Sequence, residues 1–236
     1  MGYNFRGMTL ASITTLVFDF DGTLATCPYD FAQMRRSVLQ AAIAHGINPA
    51  QLGELGLLET IDVGVELLGR EHPRAIAFHA EAMRRLCAIE YEAAGATVLL
   101  PGIVEALDDL RAAGYRLGIV TRNSAAAVER IIGDTPLAID AFLSREHVER
   151  PKPHPEHARQ MLRLLESTPA TALMIGDHPM DVEMGKAAGM GTVAVLTGQS
   201  GAATLGSATP DLLLPSVLEL ANLLLDGTVG MQDSVH

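Results

Sequence analysis

The stretch ITTLVFDFDGTL, residues 13–24, places two aspartates at the end of an apolar run. Residues 13–18 are typical of a buried strand, and alternate residues of a strand point to the same side. Asp19 and Asp21 therefore start out on one side, and Gly22 lets the backbone turn directly after them. Two such carboxylates can bind a divalent cation or divide the roles of nucleophile and acid/base. The alternative is a plain Asp-Gly turn with Asp19 as a solvated strand end, and this stretch alone does not decide between them.

The composition indicates a globular protein and argues against several classes of function. The 236 residues fit one large domain, or one domain with a substantial insertion, and 48% hydrophobic residues are enough for a buried core. A net charge of -11 disfavours binding to nucleic acids and anionic membranes, because both reward a basic patch. No apolar stretch approaches the length of about 18 residues that spans a membrane, and no secretory signal pattern opens the chain. Residues 226–236 are expected to fray, and the oligomeric state, monomer or homodimer, stays open.

The two cysteines bear on the compartment. Cys27 and Cys87 lie far apart in the chain and give neither a disulfide framework nor the paired spacing of a metal site. Free thiols are the default in a reducing compartment. We therefore expect a cytoplasmic protein.

From residue 99 onward, helical patterns alternate with short apolar runs that are bounded by turn residues. This alternation predicts an α/β fold, a Rossmann-like, doubly wound parallel sheet with crossover helices. The predicted strands after the first are 116–120, 141–144, 172–175, 192–196 and 211–214. The predicted helices are 103–113, 125–132, 155–166, 181–188 and 216–225.

Residues 26–96 change to an almost purely helical pattern. Apolar residues between Met34 and Ile43 recur at helical spacing until His45-Gly46 ends the run. Further helices are expected at 52–58, 60–68 and 74–94. Both ends of this insertion join the same core, so we predict an all-helical cap domain, 26–96, inserted into an α/β core of 1–25 and 97–236. Open parallel sheets bind ligands at the carboxyl ends of their strands, where we expect the cap to lie.

The informative polar and charged residues collect at the predicted strand ends. They are Thr121, Arg122 and Asn123 after strand 116–120, Lys152 between two prolines, and Asp177 and Asp181 after strand 172–175. The carboxyl ends of parallel strands share one rim, so these side chains are expected to converge on the two opening aspartates. Each has a structural alternative, since Thr121 can cap a helix, Lys152 can be a solvated loop residue, and Asp181 can face a helix dipole.

Taken together, these motifs resemble those of the haloacid dehalogenase superfamily, in particular its capped phosphatases similar to phosphoglycolate phosphatase. The match runs in order through DFDGT at residues 19–23, Thr121, Lys152 and GDHPMD at residues 176–181, and with the insertion it covers most of the chain. The resemblance implies that Asp19 is the nucleophile that forms an aspartyl-phosphate. It also implies that Asp21 protonates the leaving alkoxide and later activates water.

The resemblance further implies a Mg2+ site among the acidic residues. Asp19 and Asp177 would supply carboxylate oxygens and Asp21 its backbone carbonyl, which are the hard donors that this ion prefers. Asp181 would support either the metal shell or the catalytic lysine. His178 occupies a position that the family fills with various residues, so we do not expect it to bind the metal.

The remaining site residues are expected to bind phosphate and substrate. The resemblance implies that Thr121 donates its hydroxyl to a phosphate oxygen and that Lys152 bridges nucleophile and phosphate as a point charge. Arg122 and Asn123 are further candidates for substrate binding. We hypothesise that Arg35 or Arg36 of the cap reaches the far end of a small phosphorylated metabolite, for instance a carboxylate like that of phosphoglycolate. These residues would set specificity, because the core contacts only the phosphoryl group.

Several related activities can be ranked from the residues present. Asp21 argues against a dehalogenase, which needs no leaving-group acid. A phosphonate hydrolase of this family is expected to use a cap lysine, and residues 25–98 contain none. A sugar-phosphate phosphomutase keeps the same motifs and stays open. So does a noncatalytic module that binds a phosphorylated ligand or a protein partner through an inherited fold.

Overall fold

The chain folds into two compact units, one of Met1–Cys27 with Thr97–His236 and one of Pro28–Ala96. The computed structural model describes residues 4–5 and 8–232. In the larger unit, the segments that leave and re-enter it run side by side. Ala25 pairs in an antiparallel bridge with Leu99, and the Leu100 N–H donates to the Leu24 carbonyl at 2.9 Å. The insertion was predicted to span 26–96, and the smaller unit begins at Pro28 and ends at Ala96.

A six-stranded parallel sheet forms the centre of the larger unit. A short antiparallel pair, β1 (Asn4–Phe5) and β2 (Met8–Thr9), precedes it. The sheet strands are β3 (Thr15–Phe18), β4 (Arg116–Val120), β5 (Ala141–Leu143), β6 (Ala172–Gly176), β7 (Gly191–Val195) and β8 (Leu212–Leu214). Their order is β5-β4-β3-β6-β7-β8, and every neighbouring pair is parallel. The first strand of the sheet is therefore central, and the crossover from β5 to β6 changes sides. The predicted doubly wound α/β class is confirmed.

The smaller unit, which we call the helical unit (Pro28–Ala96), contains three α-helices. They are α1 (Phe31–Ala44), α2 (Leu57–Leu68) and α3 (Pro73–Ala93), with a 3-10 turn at Pro49–Gln51. The predicted helix at 52–58 is wrong. Gly53 has a φ of +62°, which does not continue an α-helix, and Arg35 donates to the carbonyls of Gly53 and Leu55. The Arg35 side chain thus binds two carbonyls that would accept backbone N–H groups if this segment were a helix.

Helices cover both faces of the sheet. They are α4 (Ile103–Ala112), α5 (Ala125–Ile132), α6 (Pro155–Leu164), α7 (Pro179–Ala188), α8 (Ala202–Ser207) and α9 (Val217–Gln232). Leu16 packs in one buried cluster with Leu107 of α4 and Leu220 of α9, whereas Val17 packs in another with Met161 of α6. Successive strand residues point to opposite faces, and all four residues of β3 are buried, so this strand is covered on both sides.

The C-terminal helix differs from its prediction. It was expected at 216–225, but α9 continues to Gln232. Residues 233–236, the end of the segment expected to fray, lie outside the described residues. Across residues 4–5 and 8–232, no helix is both long enough and apolar enough to cross a membrane.

Candidate active site

The predicted core residues meet at the carboxyl ends of the central strands. Asp19 directly follows β3 and Asp177 directly follows β6, and these strands are parallel neighbours with Phe18 opposite Ile175. The Asp19 N–H donates to the Ile175 carbonyl at 2.8 Å, which extends the pairing to the site. Strand register therefore places the two aspartates side by side. Both are buried.

Lys152 supplies the positive charge of this cluster. Its Nζ forms ion pairs with Asp19 Oδ1 and with Asp181 Oδ1, the latter at 2.8 Å, and all three side chains are buried. Burial acts to lower the pKa of Lys152, but the charges of Asp181 and Asp19 outweigh it and raise the pKa above its usual value. Lys152 is therefore a fixed cation between the expected nucleophile and Asp181.

Three buried carboxylates surround that single cation. Ligand oxygens of Asp19, Asp177 and Asp181 lie within 4.8 Å of one another. Burial, with repulsion from Asp19 and Asp181, raises the pKa of Asp177 to about 8, and burial raises the pKa of Asp181 to about 6 although Lys152 opposes it. The pKa of Asp19 is also raised, by burial and by the charge of Asp21, although Lys152 opposes the rise. A further cation would favour the ionised carboxylates, and a set of hard oxygen donors fits Mg2+.

Asp21 is held by donors from the segment that joins β4 to α5. Thr121 Oγ1 donates to Asp21 Oδ2 at 3.2 Å, and Asn123 Nδ2 donates to the two carboxylate oxygens at 3.1 and 3.2 Å. The Asn123 Oδ1 accepts from the Ser124 N–H at 2.8 Å, which orients the amide. Thr121 and Asn123 were predicted to bind phosphate, and the structure brings both onto the expected acid/base. Their role toward phosphate stays a prediction.

The predicted arginines lie in different surroundings. Arg122 Nη1 donates to the Lys152 carbonyl at 3.2 Å, so this side chain adjoins the cluster. Arg35 binds the turn that precedes α2, as described above, and Arg36 forms an exposed ion pair with Asp30 at 3.7 Å. Arg35 and Arg36 belong to the helical unit, and their role in substrate binding stays a prediction.

Two residues that sequence reasoning missed shape the site. A Cβ atom at Gly198, or at Gly22 with its φ of +81°, would overlap the Asp177 carboxylate, so both backbones pack directly against it. Gly198 lies in a loop after β7 that contains Gly and Ser, and this composition is typical of any turn, so it did not single out Gly198. His157, in the first turn of α6, accepts from the Lys152 N–H through Nδ1 at 3.3 Å. Nothing in the sequence around His157 indicates this contact, because it forms only in the folded chain.

Comparison with known proteins identifies the family of this chain. Residues 16–195 match the family described as haloacid dehalogenase-like hydrolase. The chain is 30% identical over 230 residues to pyrophosphatase PpaX of Bacillus velezensis, an alignment that covers 92% of this chain and 98% of that protein. The chain belongs to the haloacid dehalogenase-like hydrolases, and it is an enzyme of that family.

Solved structures share the fold. A haloacid dehalogenase-like hydrolase from Bacteroides fragilis superposes with a TM-score of 0.66 at 24% identity, covering 88% of this chain and 99% of that one. CbbY from Rhodobacter sphaeroides, solved in complex with phosphate, superposes with a TM-score of 0.59 at 26% identity, covering 88% and 96%. The predicted family is thereby confirmed in both sequence and fold.

Gly198→Ala is expected to destabilise the protein by about 1–3 kcal/mol, because the added methyl group overlaps the buried Asp177 carboxylate. Gly206→Ala, in α8 just after this loop, is the control, since no atom lies within 4 Å of its added Cβ, and it should keep the free energy of unfolding or raise it by up to about 1 kcal/mol, because Ala favours a helix over Gly. Urea unfolding measures both. Equal stabilities for the two variants would contradict the close packing at Gly198.

Proposed function

We propose that this hydrolase removes the phosphoryl group of a small phosphorylated metabolite through an aspartyl-phosphate on Asp19, with Mg2+ as cofactor. The observation that carries the proposal is the ammonium of Lys152, buried between the carboxylates of Asp19 and Asp181. A carboxylate that attacks a phosphate dianion faces like-charge repulsion, and a fixed cation beside it offsets that repulsion. Asp21, two residues from the nucleophile, supplies the acid/base.

The reaction has two steps that share these residues. In the first, an Asp19 oxygen forms a bond to phosphorus, the bond to the leaving oxygen breaks, and Asp21 gives that oxygen its proton. In the second, Asp21 takes a proton from water, whose oxygen attacks phosphorus while the bond to Asp19 breaks. Inorganic phosphate leaves, the Asp19 carboxylate is restored, and Asp21 is protonated again. Thr121 and Asn123 hold the Asp21 carboxylate in place for both transfers.

The acidic cluster supports the choice of Mg2+. We propose that carboxylate oxygens of Asp19 and Asp177 and the backbone carbonyl of Asp21 hold the ion, while Asp181 keeps Lys152 in place. When bound, Mg2+ neutralises charge on the nonbridging oxygens of the phosphoryl group. The Thr23 hydroxyl donates to Asp177 Oδ1 at 3.3 Å, which orients that carboxylate in the cluster.

The substrate is proposed at the level of a class. A phosphoglycolate-like monoester is the first candidate, and we propose that Arg35 or Arg36 binds its carboxylate. Inorganic pyrophosphate is a second candidate, because the relative that aligns over nearly its whole length is named a pyrophosphatase. A phosphomutase would pass the phosphoryl group to a sugar hydroxyl instead of water. We also propose a cytoplasmic location, since a chain of this length with two cysteines far apart in sequence has no disulfide framework.

Asp19→Asn is expected to lower phosphate release from p-nitrophenyl phosphate by at least about 10³-fold, because the covalent route is lost. Asp108→Asn, a matched change at an exposed position on α4, should retain wild-type activity. Full activity in Asp19→Asn would contradict the proposed nucleophile. A wild-type enzyme that releases no phosphate from a broad panel with Mg2+ would instead favour the noncatalytic binding module.

Mg2+ is expected to raise the unfolding temperature of the wild-type protein, since an ion present at about 100 times its Kd adds about 2.7 kcal/mol of stability. Asp177→Asn removes a proposed ligand and should abolish most of this shift, whereas Asp108→Asn should keep it. Differential scanning calorimetry with EDTA and with Mg2+ measures the change without any substrate. A shift of equal size in Asp177→Asn would contradict the proposed ligand set.

Arg36→Ala is expected to raise the KM for phosphoglycolate by about tenfold and to leave that for p-nitrophenyl phosphate unchanged, because only phosphoglycolate offers a carboxylate. Arg70→Ala, which removes another exposed arginine of the helical unit, is the control. The same KM values are measured for Arg35→Ala. Its unfolding midpoint is measured as well, because Arg35 also binds the turn before α2. Parallel effects on both substrates would exclude these arginines as specificity residues.

A further inference from the structure

His157 is not one of the proposed catalytic residues, but its side chain contacts the backbone of Lys152 and of Leu143. The imidazole is fully buried in the first turn of α6. Its Nδ1 accepts from the Lys152 N–H at 3.3 Å, and its Nε2 lies 3.2 Å from the Leu143 carbonyl at the end of β5. A carbonyl accepts only, so Nε2 is the donor. The two contacts therefore select the neutral tautomer with its proton on Nε2.

The surroundings of His157 keep that tautomer neutral. Burial, followed by the positive charge of Lys152, lowers the pKa of His157 to about 4. His147 and Arg122 act in the same direction, and only the bond to the Leu143 carbonyl opposes them. Near neutral pH, Nδ1 thus remains an acceptor for a backbone N–H.

The Leu143 carbonyl relates His157 to a second part of the site. It accepts from the Thr121 N–H at 3.0 Å as well as from His157. Lys152 is thereby linked through the imidazole to the same carbonyl that fixes the backbone of Thr121. The lysine side chain contacts Asp19, and the threonine hydroxyl contacts Asp21.

We propose that His157 is a positioning residue, which sets the place of the Lys152 ammonium by accepting a hydrogen bond from the Lys152 backbone. The proposal rests on the proposed function, because it assigns Lys152 to the phosphoryl-transfer site. Arg122 holds the carbonyl of the same residue at 3.2 Å, so both polar groups of the Lys152 backbone have a side-chain partner. Catalysis is sensitive to such placement, since a shift of about 1 Å can cost about 10²-fold in rate.

Two conservative variants separate this role from simple packing. In His157→Asn, the side-chain oxygen can occupy the place of Nδ1 and accept from the Lys152 N–H. In His157→Gln, the longer amide reaches the place of Nε2 and can donate to the Leu143 carbonyl, but it leaves Lys152 without its acceptor. A packing role predicts that the larger Gln is tolerated at least as well as Asn, whereas a positioning role predicts the reverse.

The activity measurement compares kcat for p-nitrophenyl phosphate with Mg2+. His157→Gln is expected to lower kcat by about tenfold or more with KM within about twofold, and His157→Asn to stay within about threefold of wild type. Met161→Ala, at a buried position on the same helix, is the control for lost stability and should leave kcat unchanged below its unfolding temperature. Equal losses of kcat in His157→Gln and His157→Asn, or none in His157→Gln, would overturn the proposal.

A second readout needs no activity. The chain has two lysines, Lys152 and Lys186, so protein labelled with 15N-lysine gives two backbone amide signals, and a Lys186→Arg sample assigns them. The Lys152 amide is expected to exchange with solvent at least about tenfold faster in His157→Gln than in His157→Asn, while the Lys186 amide, inside α7, is unaffected. Unchanged amide exchange at Lys152 in His157→Gln would refute the positioning role of His157 but not the proposed function. Absence of phosphate release by the wild type would refute the proposed function, whatever the amides show.

Discussion

The buried ion pairs of Lys152 with Asp19 and Asp181 are the interaction on which the rest of the structure depends. Three carboxylates within 4.8 Å of one another, all buried, carry a desolvation cost that a single ammonium partly offsets. Loss of one partner from a buried pair typically costs about 3–5 kcal/mol, because the remaining charge is left without compensation. The same interaction places a fixed positive charge beside the expected nucleophile. The same ion pairs therefore bear on both the stability of the fold and the proposed chemistry.

The sheet topology explains how distant parts of the chain reach this contact. Asp19 directly follows the central strand β3, Asp177 directly follows its neighbour β6, and Thr121 directly follows β4 on the other side. Each strand end delivers one group to the same rim, and strand register limits how far apart these groups can lie. Lys152 comes from a loop instead of a strand end. Its position therefore depends on side chains that bind its backbone. His157 accepts from the Lys152 N–H, and Arg122 donates to the Lys152 carbonyl.

The sequence predicted the parts that depend on local pattern and missed those that depend on contacts far along the chain. Strand 116–120 was predicted to the residue, because an apolar run between turn residues is a local signal. The helix at 52–58 was wrong, because Arg35, some twenty residues earlier, binds the carbonyls that a helix would use. The roles of Gly198 and His157 had no local signal either. The first lies against Asp177, and the second joins α6 to the end of β5.

Direct capture of the proposed aspartyl-phosphate would test the central claim most directly. Enzyme turning over substrate with Mg2+ is quenched with borohydride, which reduces an acyl phosphate to an alcohol, and the peptide that contains residue 19 is analysed by mass spectrometry. We expect Asp19 to be converted to homoserine only when substrate and Mg2+ are both present. Conversion at Asp21 instead, or steady product formation with Asp19 unmodified, would contradict covalent catalysis by Asp19.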